Sequence, residues 1–549
     1  MKWLITIVRP IWKLMLGLLT LGMFTIVLGH VLTRWLYSTV PLVGSRLAPY
    51  GPIIVFGACV GVGVLMVLSF GKPDQLRPGQ NGRRTSGAHG TARWGTEAQL
   101  TQNPTGFLIG RAVPVQWRRW IGSVNGTLCR FTGGGHILTI ASTGAGKGTG
   151  CVIPALLDYQ GSILVTDPKG ENFKVTARYR NASGYTVHAL DPFSVVSETS
   201  ASFNPLDVIN PDSPNALDDA AMLASMVITS QGHMAEQPFW IDEGRGFLTG
   251  LILHVATHEP PEHRHLPRVC ELLSLPAPAF ATLLDEMAQS RAAGGLVARA
   301  AARFLQKADK ERSGVLSTIH SHTHFLNSPN MARVLSSSSF DFADLKRSKA
   351  TVYLILPPDR MHAYARWLRL MIASGMSVLQ RTKSVSSTHA LFLLDEFATL
   401  GAMEPVRQYL TLSRGFGITF WLLVQDLPQL KRLYPDWGTF ISNAGVIQAF
   451  GTNDVETNEY LSAMLGMCTI HVKSKHQSDR RTASPGRQGN VSITTAEQGR
   501  ALLTADEIRL LERMLVIIKK RDPLLLDRVN YLTDPEFQGR FNQNPMHMY

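Results

Sequence analysis

The sequence predicts an α/β fold built on a parallel sheet, interrupted by an all-α insertion and preceded by a two-helix membrane hairpin. Three observations predict it. Short apolar runs that end in a turn or an acidic residue alternate with helix-length stretches, which is how strands buried on both faces read. Between residues 207 and 338 that signal gives way to Ala, Leu, Met, Arg and Glu at helical spacing. Near the start lie two long apolar runs, each of about the ~20 residues a spanning helix needs.

The first apolar run extends from Leu14 to Thr33, broken only by His30, and the second from Pro52 to Phe70. A signal peptide is the competing reading of the first, because Lys2, Arg9 and Lys13 precede it as an n-region would. The second run and the lack of a small-residue cleavage site favour a hairpin. Lys2, Arg9 and Lys13 before it and Lys72, Arg77, Arg83 and Arg84 after it, against Arg34 and Arg46 between the runs, place both ends in the cytoplasm. Residues 1–71 are thus expected to be an anchor, and the Gly-, Pro- and charge-rich stretch 71–90 to be a linker leaving the membrane.

The runs "HILTIAS" (136–142), "GSILVTD" (161–167) and "YTVHALD" (185–191) predict the first strands, within a segment 72–206. Residues 207–338 form the helical insertion. Strands return in 339–549 with "ATVYLIL" (350–356), "ALFLLDE" (390–396), "ITFWLLVQ" (418–425) and "GVIQAFG" (445–451). Ser474 to Gln498, poor in apolar side chains, read as a long mobile loop, and "LTADEIRLLERM" as a capped helix.

With 549 residues, 45% of them hydrophobic, the chain can bury more than one core. Its five cysteines are scattered without a C-x-x-C pair, which argues against structural zinc and a disulfide framework. The net charge of +13 does not by itself indicate DNA: residues 1–130 hold 14 Lys/Arg against 2 Asp/Glu, and membrane topology accounts for that excess equally well. In the helical segment, Arg291, Arg299, Arg303, Lys307 and Lys310 gather near the end, and a solvated helix face is the simplest reading of them.

The stretch "ASTGAGKGTG" (141–150) follows a strand and precedes a helix, as a phosphate-binding loop must. Against the pattern G-x-x-x-x-G-K-[ST], Ala141 replaces the first glycine and Gly148 follows the lysine. Thr143, Gly144, Ala145, Gly146, Lys147, Gly148 and Thr149 are the expected ATP-binding residues: backbone N–H groups turn toward phosphate oxygens and Lys147 reaches the β- and γ-phosphates. The run "LFLLDEFATLG" ends in Asp395 and Glu396. An acidic pair at the carboxyl end of a buried strand needs a cationic partner, and Mg²⁺ carried by a nucleoside triphosphate is one. Asp395 is assigned to the Mg²⁺ shell and Glu396 to the attacking water.

In "SRGFGITFWLLVQD", Gln425 falls at the carboxyl end of a strand, where open parallel sheets bind ligands. Arg414 falls at the opposite end, about 25 Å away along the extended chain. A catalytic Arg414 must therefore serve a neighbouring subunit, which predicts a ring; a surface arginine at a helix end is the alternative.

Taken in order, "HGTARW" (89–94), "STGAGKGTG" (142–150), "DPKGEN" (167–172), "FNPLD" (203–207), "QPFW" (237–240), "LLDEF" (393–397) and "VQDLPQL" (424–430) resemble the motifs of the type IV secretion coupling proteins, the TraG/VirD type of conjugation ATPase. The resemblance runs from the hairpin to about Arg540. It implies a RecA-like P-loop motor domain anchored in the bacterial inner membrane, an all-α domain facing the cytoplasm, and a homo-hexamer when active. Members commonly have glycine after the loop lysine, so Gly148 fits; the hydroxyl on Mg²⁺ is left to Thr149, to Thr143 or to a water. Arg414 and Gln425 match the family's finger and sensor positions.

The function so implied is a coupling ATPase that receives a relaxase–DNA complex or an effector protein and drives it into a type IV secretion channel, gripping DNA by its backbone without sequence preference. Two rival readings differ from it. A septal DNA translocase usually carries more membrane helices, a long linker and a terminal DNA-reading winged helix, none of which is visible here. A nucleotide-stabilised docking platform without turnover differs in needing no Glu396. Transporters of the ABC type are excluded by the lack of an LSGGQ-like signature.

Overall fold

The computed structural model of the protein describes residues 86–112, 126–229, 238–385, 388–412, 415–477 and 491–545. The two apolar runs lie outside these residues, as does Arg414, and among the described residues no helix is long and apolar enough to cross a membrane.

The main sheet is assembled from β3 (His136–Ala141), β4 (Ile163–Asp167), β5 (Thr186–Leu190), β6 (Ala350–Ile355), β7 (Ala390–Leu394), β8 (Ile418–Val424), β9 (Ala444–Phe450), β12 (Met514–Ile518) and β13 (Leu524–Leu526). Among the described residues its order is β13-β12-β9-β3-β8-β7-β4-β6-β5. The seven strands from β9 to the β5 edge pair in parallel, whereas β12 and β13 are added antiparallel. Strands β3, β4, β6, β7, β8 and β9 are buried at every position. Covered on both faces, they read as continuous apolar runs, and each fully buried Val, Leu or Ile is worth about 1.5–3 kcal/mol.

A smaller antiparallel pair, β1 (Phe107–Arg111) and β2 (Leu128–Phe131), is tied to this sheet by buried polar groups. Trp421 Nε1 donates to Thr139 Oγ1 (2.8 Å), Thr139 Oγ1 to Gln448 Oε1 (2.6 Å), and Gln448 Nε2 to the Ile109 carbonyl (3.1 Å). A chain of satisfied bonds of this kind fixes register where apolar packing alone would not.

After β3 the chain enters a wide π-type turn, Gly148–Val152, that leads into α1 (Ile153–Asp158). Helix α2 (Glu171–Ala182) connects β4 to β5. The crossover from β5 to β6 contains the helical segment, with α3 (Ala216–Val227), α4 (Pro238–His258), α5 (Ala292–Leu305) and α6 (Asp309–Thr323) among its helices. Helix α4 is its centre: Leu248, Leu251, Ile252, Leu253 and Val255 are at most 1% exposed. At Gly250 a Cβ would lie 2.2 Å from the Ala300 Cβ, so only glycine allows α5 this close.

The two ends of the segment meet. Phe203 N donates to the Val334 carbonyl (2.9 Å), Asn204 N to Ser338 Oγ (3.0 Å) and Ser339 N to the Ser202 carbonyl (3.0 Å). This is the setting of the "FNPLD" motif, whose Asn204 side chain accepts from Leu206 N and donates to Asp207. Helix α7 (Pro358–Arg381) then returns along the sheet.

One expectation is overturned at both ends of its range. Against the mobile loop expected over Ser474 to Gln498, β10 (Met467–Gln477) and β11 (Val491–Ala501) form an antiparallel ribbon in continuous register from Met467↔Ala501 to Gln477↔Val491, and residues 478–490 lie outside the described residues. β-branched residues such as Thr469, Ile470, Val472, Thr494 and Thr495 favour the extended chain. The "HGTARW" segment supports the base of the ribbon: Thr91 bridges to Cys468, and Ala92 N donates to the Met467 carbonyl (2.9 Å). The capped helix is present at Ala505–Arg509, where Thr504 and Glu507 form a reciprocal capping box.

Candidate active site

Three neighbouring strands, β3, β8 and β7, deliver three side chains to one place at their carboxyl ends. From β3 the chain turns through Ser142–Gly146, with Gly144 at φ 78° and Gly146 at φ 87°, left-handed values that glycine alone adopts without cost. Thr149 Oγ1 donates to the Gly146 carbonyl (3.2 Å), closing the turn, and Thr143 is exposed. Gly148 has no neighbour within 4 Å of a Cβ position, and Gly451 at the end of β9 lies under Ala145, where a Cβ would come within 2.7 Å.

Lys147, only 8% exposed, reaches across to β7: its Nζ lies 2.9 Å from Glu396 Oε1. Two strand spacings are about 10 Å, within the span of a lysine side chain added to the turn. Gln425, from the strand between, donates its Nε2 to the other carboxylate oxygen, Glu396 Oε2 (2.9 Å). Lys147, Gln425 and Glu396, predicted from separate stretches of sequence, are therefore one hydrogen-bonded group. Glu396 itself has φ 51° and ψ 43°, left-handed for a non-glycine residue. Such backbone costs on the order of 1–3 kcal/mol, and here it aims the carboxylate at Lys147.

Asp395 sits beside it, one carboxylate oxygen accepting from Glu396 N (2.9 Å). Burial, followed by the neighbouring Glu396 charge, pushes Asp395 up to about 6, with Lys147 and Lys169 pulling the other way. A buried carboxylate crowded by a second acid is suited to a cation. Among the described residues no cluster of three or more His, Cys, Asp or Glu side chains could hold a metal by itself. A single buried carboxylate fits Mg²⁺, which retains waters and shares phosphate oxygens, better than an ion needing a full protein cage.

The "DPKGEN" motif borders this group. Asp167 ends β4 and accepts from Phe173 N (2.9 Å), capping the first turn of α2, and burial pushes its carboxyl up to about 7. Gly170, at φ 67°, lets the chain turn where a Cβ would strike Val196 at 2.3 Å. The turn leaves Lys169 exposed and close enough to Asp395 to act on its charge. Lys169 is thus a cation bordering the group that the sequence did not single out; a lysine two residues after a strand-ending aspartate was the available signal. Trp240 of "QPFW" packs its ring against Gly314 of α6, anchoring α4 within the helical segment. Arg414 lies outside the described residues.

With this geometry in view, comparison with known proteins gives the class. The family model for type IV secretory system conjugative DNA transfer matches residues 99–548, and the chain belongs to that family. The protein is 30% identical over 480 residues to VirD4 of Rhizobium radiobacter, covering 83% of this chain and 65% of that one, so it spans about two thirds of that relative's length. It is 29% identical over 514 residues to the conjugal transfer protein TraG of Escherichia coli, covering 87% and 80%. Among solved structures, the unbound conjugative coupling protein TrwBdeltaN70 aligns with a TM-score of 0.56 at 15% identity, covering 84% of this chain and 99% of that one. TrwB in complex with ADP and Mg²⁺ aligns equally well, at 15% identity and 82% and 96% coverage. The shared fold is the α/β fold expected from the sequence.

Proposed function

We propose that the protein is an inner-membrane coupling ATPase that recruits a relaxase–DNA complex, or an effector protein, and drives it toward a type IV secretion channel by hydrolysing ATP. The observation that carries this reading is the contact of Lys147 with Glu396, with Gln425 on the second carboxylate oxygen. A lysine, an acid and an amide within hydrogen-bond reach, after a glycine turn at a strand's carboxyl end, are what a triphosphate and an attacking water require.

Each residue has a distinct task. The amides of Thr143 to Thr149 bind phosphate, and Lys147 orients the β- and γ-oxygens. Glu396 takes the proton of the attacking water, and Gln425 holds the Glu396 carboxylate in line. Asp395 and Thr149 would hold Mg²⁺ together with the phosphates, and the ion would neutralise charge on the transferred group. Arg414 completes the site of the next subunit in a homo-hexamer. Residues 1–71 anchor the chain in the membrane lipid, 72–206 and 339–549 form the motor, and 207–338 select the cargo, whose DNA is gripped without sequence preference.

Glu396→Gln tests the reading. The variant should bind ATP with unchanged affinity while hydrolysis falls by about 10²–10⁴-fold, and cargo transfer should stop. Transfer that continues at the wild-type rate would instead identify a docking platform.

A further inference from the structure

The loop around Lys147 has a partner that its own motif does not include. After β13 the chain runs along the outside of the loop: Tyr531 N donates to the Thr149 carbonyl (3.4 Å), and the Val529 carbonyl lies 3.2 Å from a Cβ position at Gly150. In this strand of chain the exposed Arg528 places Nη1 2.6 Å from the Ala145 carbonyl, with its guanidinium 5.7 Å above the Phe450 ring. Its position is set from both sides. Asp527 exchanges two backbone hydrogen bonds with Arg111 (2.9 Å each), and the buried Arg111 guanidinium holds Asp534 (2.8 Å) and Glu536 (2.9 Å) further along.

We propose that Arg528 is a positioning residue for nucleotide, acting through the Ala145–Gly146 peptide. The carbonyl of Ala145 and the N–H of Gly146 belong to one planar trans amide and point in opposite directions. A cation that fixes the carbonyl toward the outside therefore fixes the Gly146 N–H toward the inside of the loop. A charged donor on the oxygen also polarises the amide and makes its N–H a stronger donor to an anion. Arg528 thus presets one of the amides that a phosphate meets, without touching the phosphate. The C-terminal strand of chain becomes part of the nucleotide site, although it lies 383 residues from Ala145 in sequence.

This inference rests on the nucleotide-site reading, and the experiment separates the two. Binding of a fluorescent ATP analogue to the full-length protein is measured for wild type, Arg528→Ala, Arg528→Lys and Lys147→Ala, each with its melting temperature in the absence of nucleotide. Because Arg528 is exposed, Arg528→Ala should melt as wild type does, bind the analogue about tenfold more weakly, and be largely restored by Arg528→Lys. Wild-type affinity in Arg528→Ala, with binding lost in Lys147→Ala, overturns the role of Arg528 alone. Wild-type affinity in both overturns the nucleotide site as well. Equal loss in Arg528→Ala and Arg528→Lys with a lowered melting temperature makes the residue merely structural and also overturns the proposal.

Discussion

The carboxyl end of the parallel sheet and the helical segment between β5 and β6 bury similar apolar side chains but treat charge in opposite ways. In the helical segment the buried Glu243 is matched by Arg303 (2.5 Å) and Lys307 (2.9 Å). Burial would raise its carboxyl, yet the hydrogen bonds of those two cations prevail and hold it below the usual range. At the sheet end the buried Lys147 pairs with Glu396, held in a left-handed conformation, while Asp395 and Asp167 beside it are pushed upward by burial. An acid matched by two cations stabilises a fold, whereas buried acids that outnumber the buried cation beside them, in a strained setting, mark a place that expects another molecule.

The difference can be broken most severely at Lys147. Lys147→Ala should reduce ATP hydrolysis by about 10²–10³-fold or more, with little change in melting temperature; a steady-state assay beside a thermal melt measures both. If the chain unfolds instead, Lys147 belongs with the matched, structural charges. Leu251→Ala, at the centre of α4, should do the reverse. Removing that side chain costs about 2–5 kcal/mol and lowers the melting temperature, while ATP affinity stays within twofold, as titration would report.

The smallest expected effect concerns His254 of the helical segment, whose buried Nδ1 makes no hydrogen bond among the described residues. Burial, aided by the stacked His258, lowers His254 to about 4. The unfolded chain takes up this proton near pH 6.5 and the folded chain only near 4, so its contribution is complete above pH 6.5 and is lost as pH falls toward 4. His254→Leu should flatten that part of the melting-temperature profile between pH 7 and 4. An unchanged slope would assign the acid sensitivity elsewhere.

What could be read in advance depended on how local the physics is. Strands β3, β4 and β6 to β9 announce themselves because burial on both faces leaves uninterrupted apolar runs. Strand β1 ends in Arg111, a charge whose partners Asp534 and Glu536 are more than 400 residues away, so nothing nearby marks it as buried. The outer part of the β10–β11 ribbon was misread because, beyond its base at Cys468 and Ile470, it extends into solvent, and apolar content was the wrong measure for it. The meeting of Lys147, Glu396 and Gln425 was legible because all three stand just past the carboxyl ends of strands that the apolar runs already mark. Arg528 was not, since it reaches the loop only after β12 and β13 have folded against the sheet.

The clasp of Phe203 and Asn204 with Val334 and Ser338 has a consequence for ancestry and engineering. A stretch of chain whose entry and exit are stapled side by side can be lengthened, shortened or exchanged while the rest of the protein keeps its geometry, because the cost of closing a longer loop grows only slowly with its length. The helices between those staples are thus free to diversify like a removable cartridge, while the chemistry on the neighbouring strands stays under its own selection.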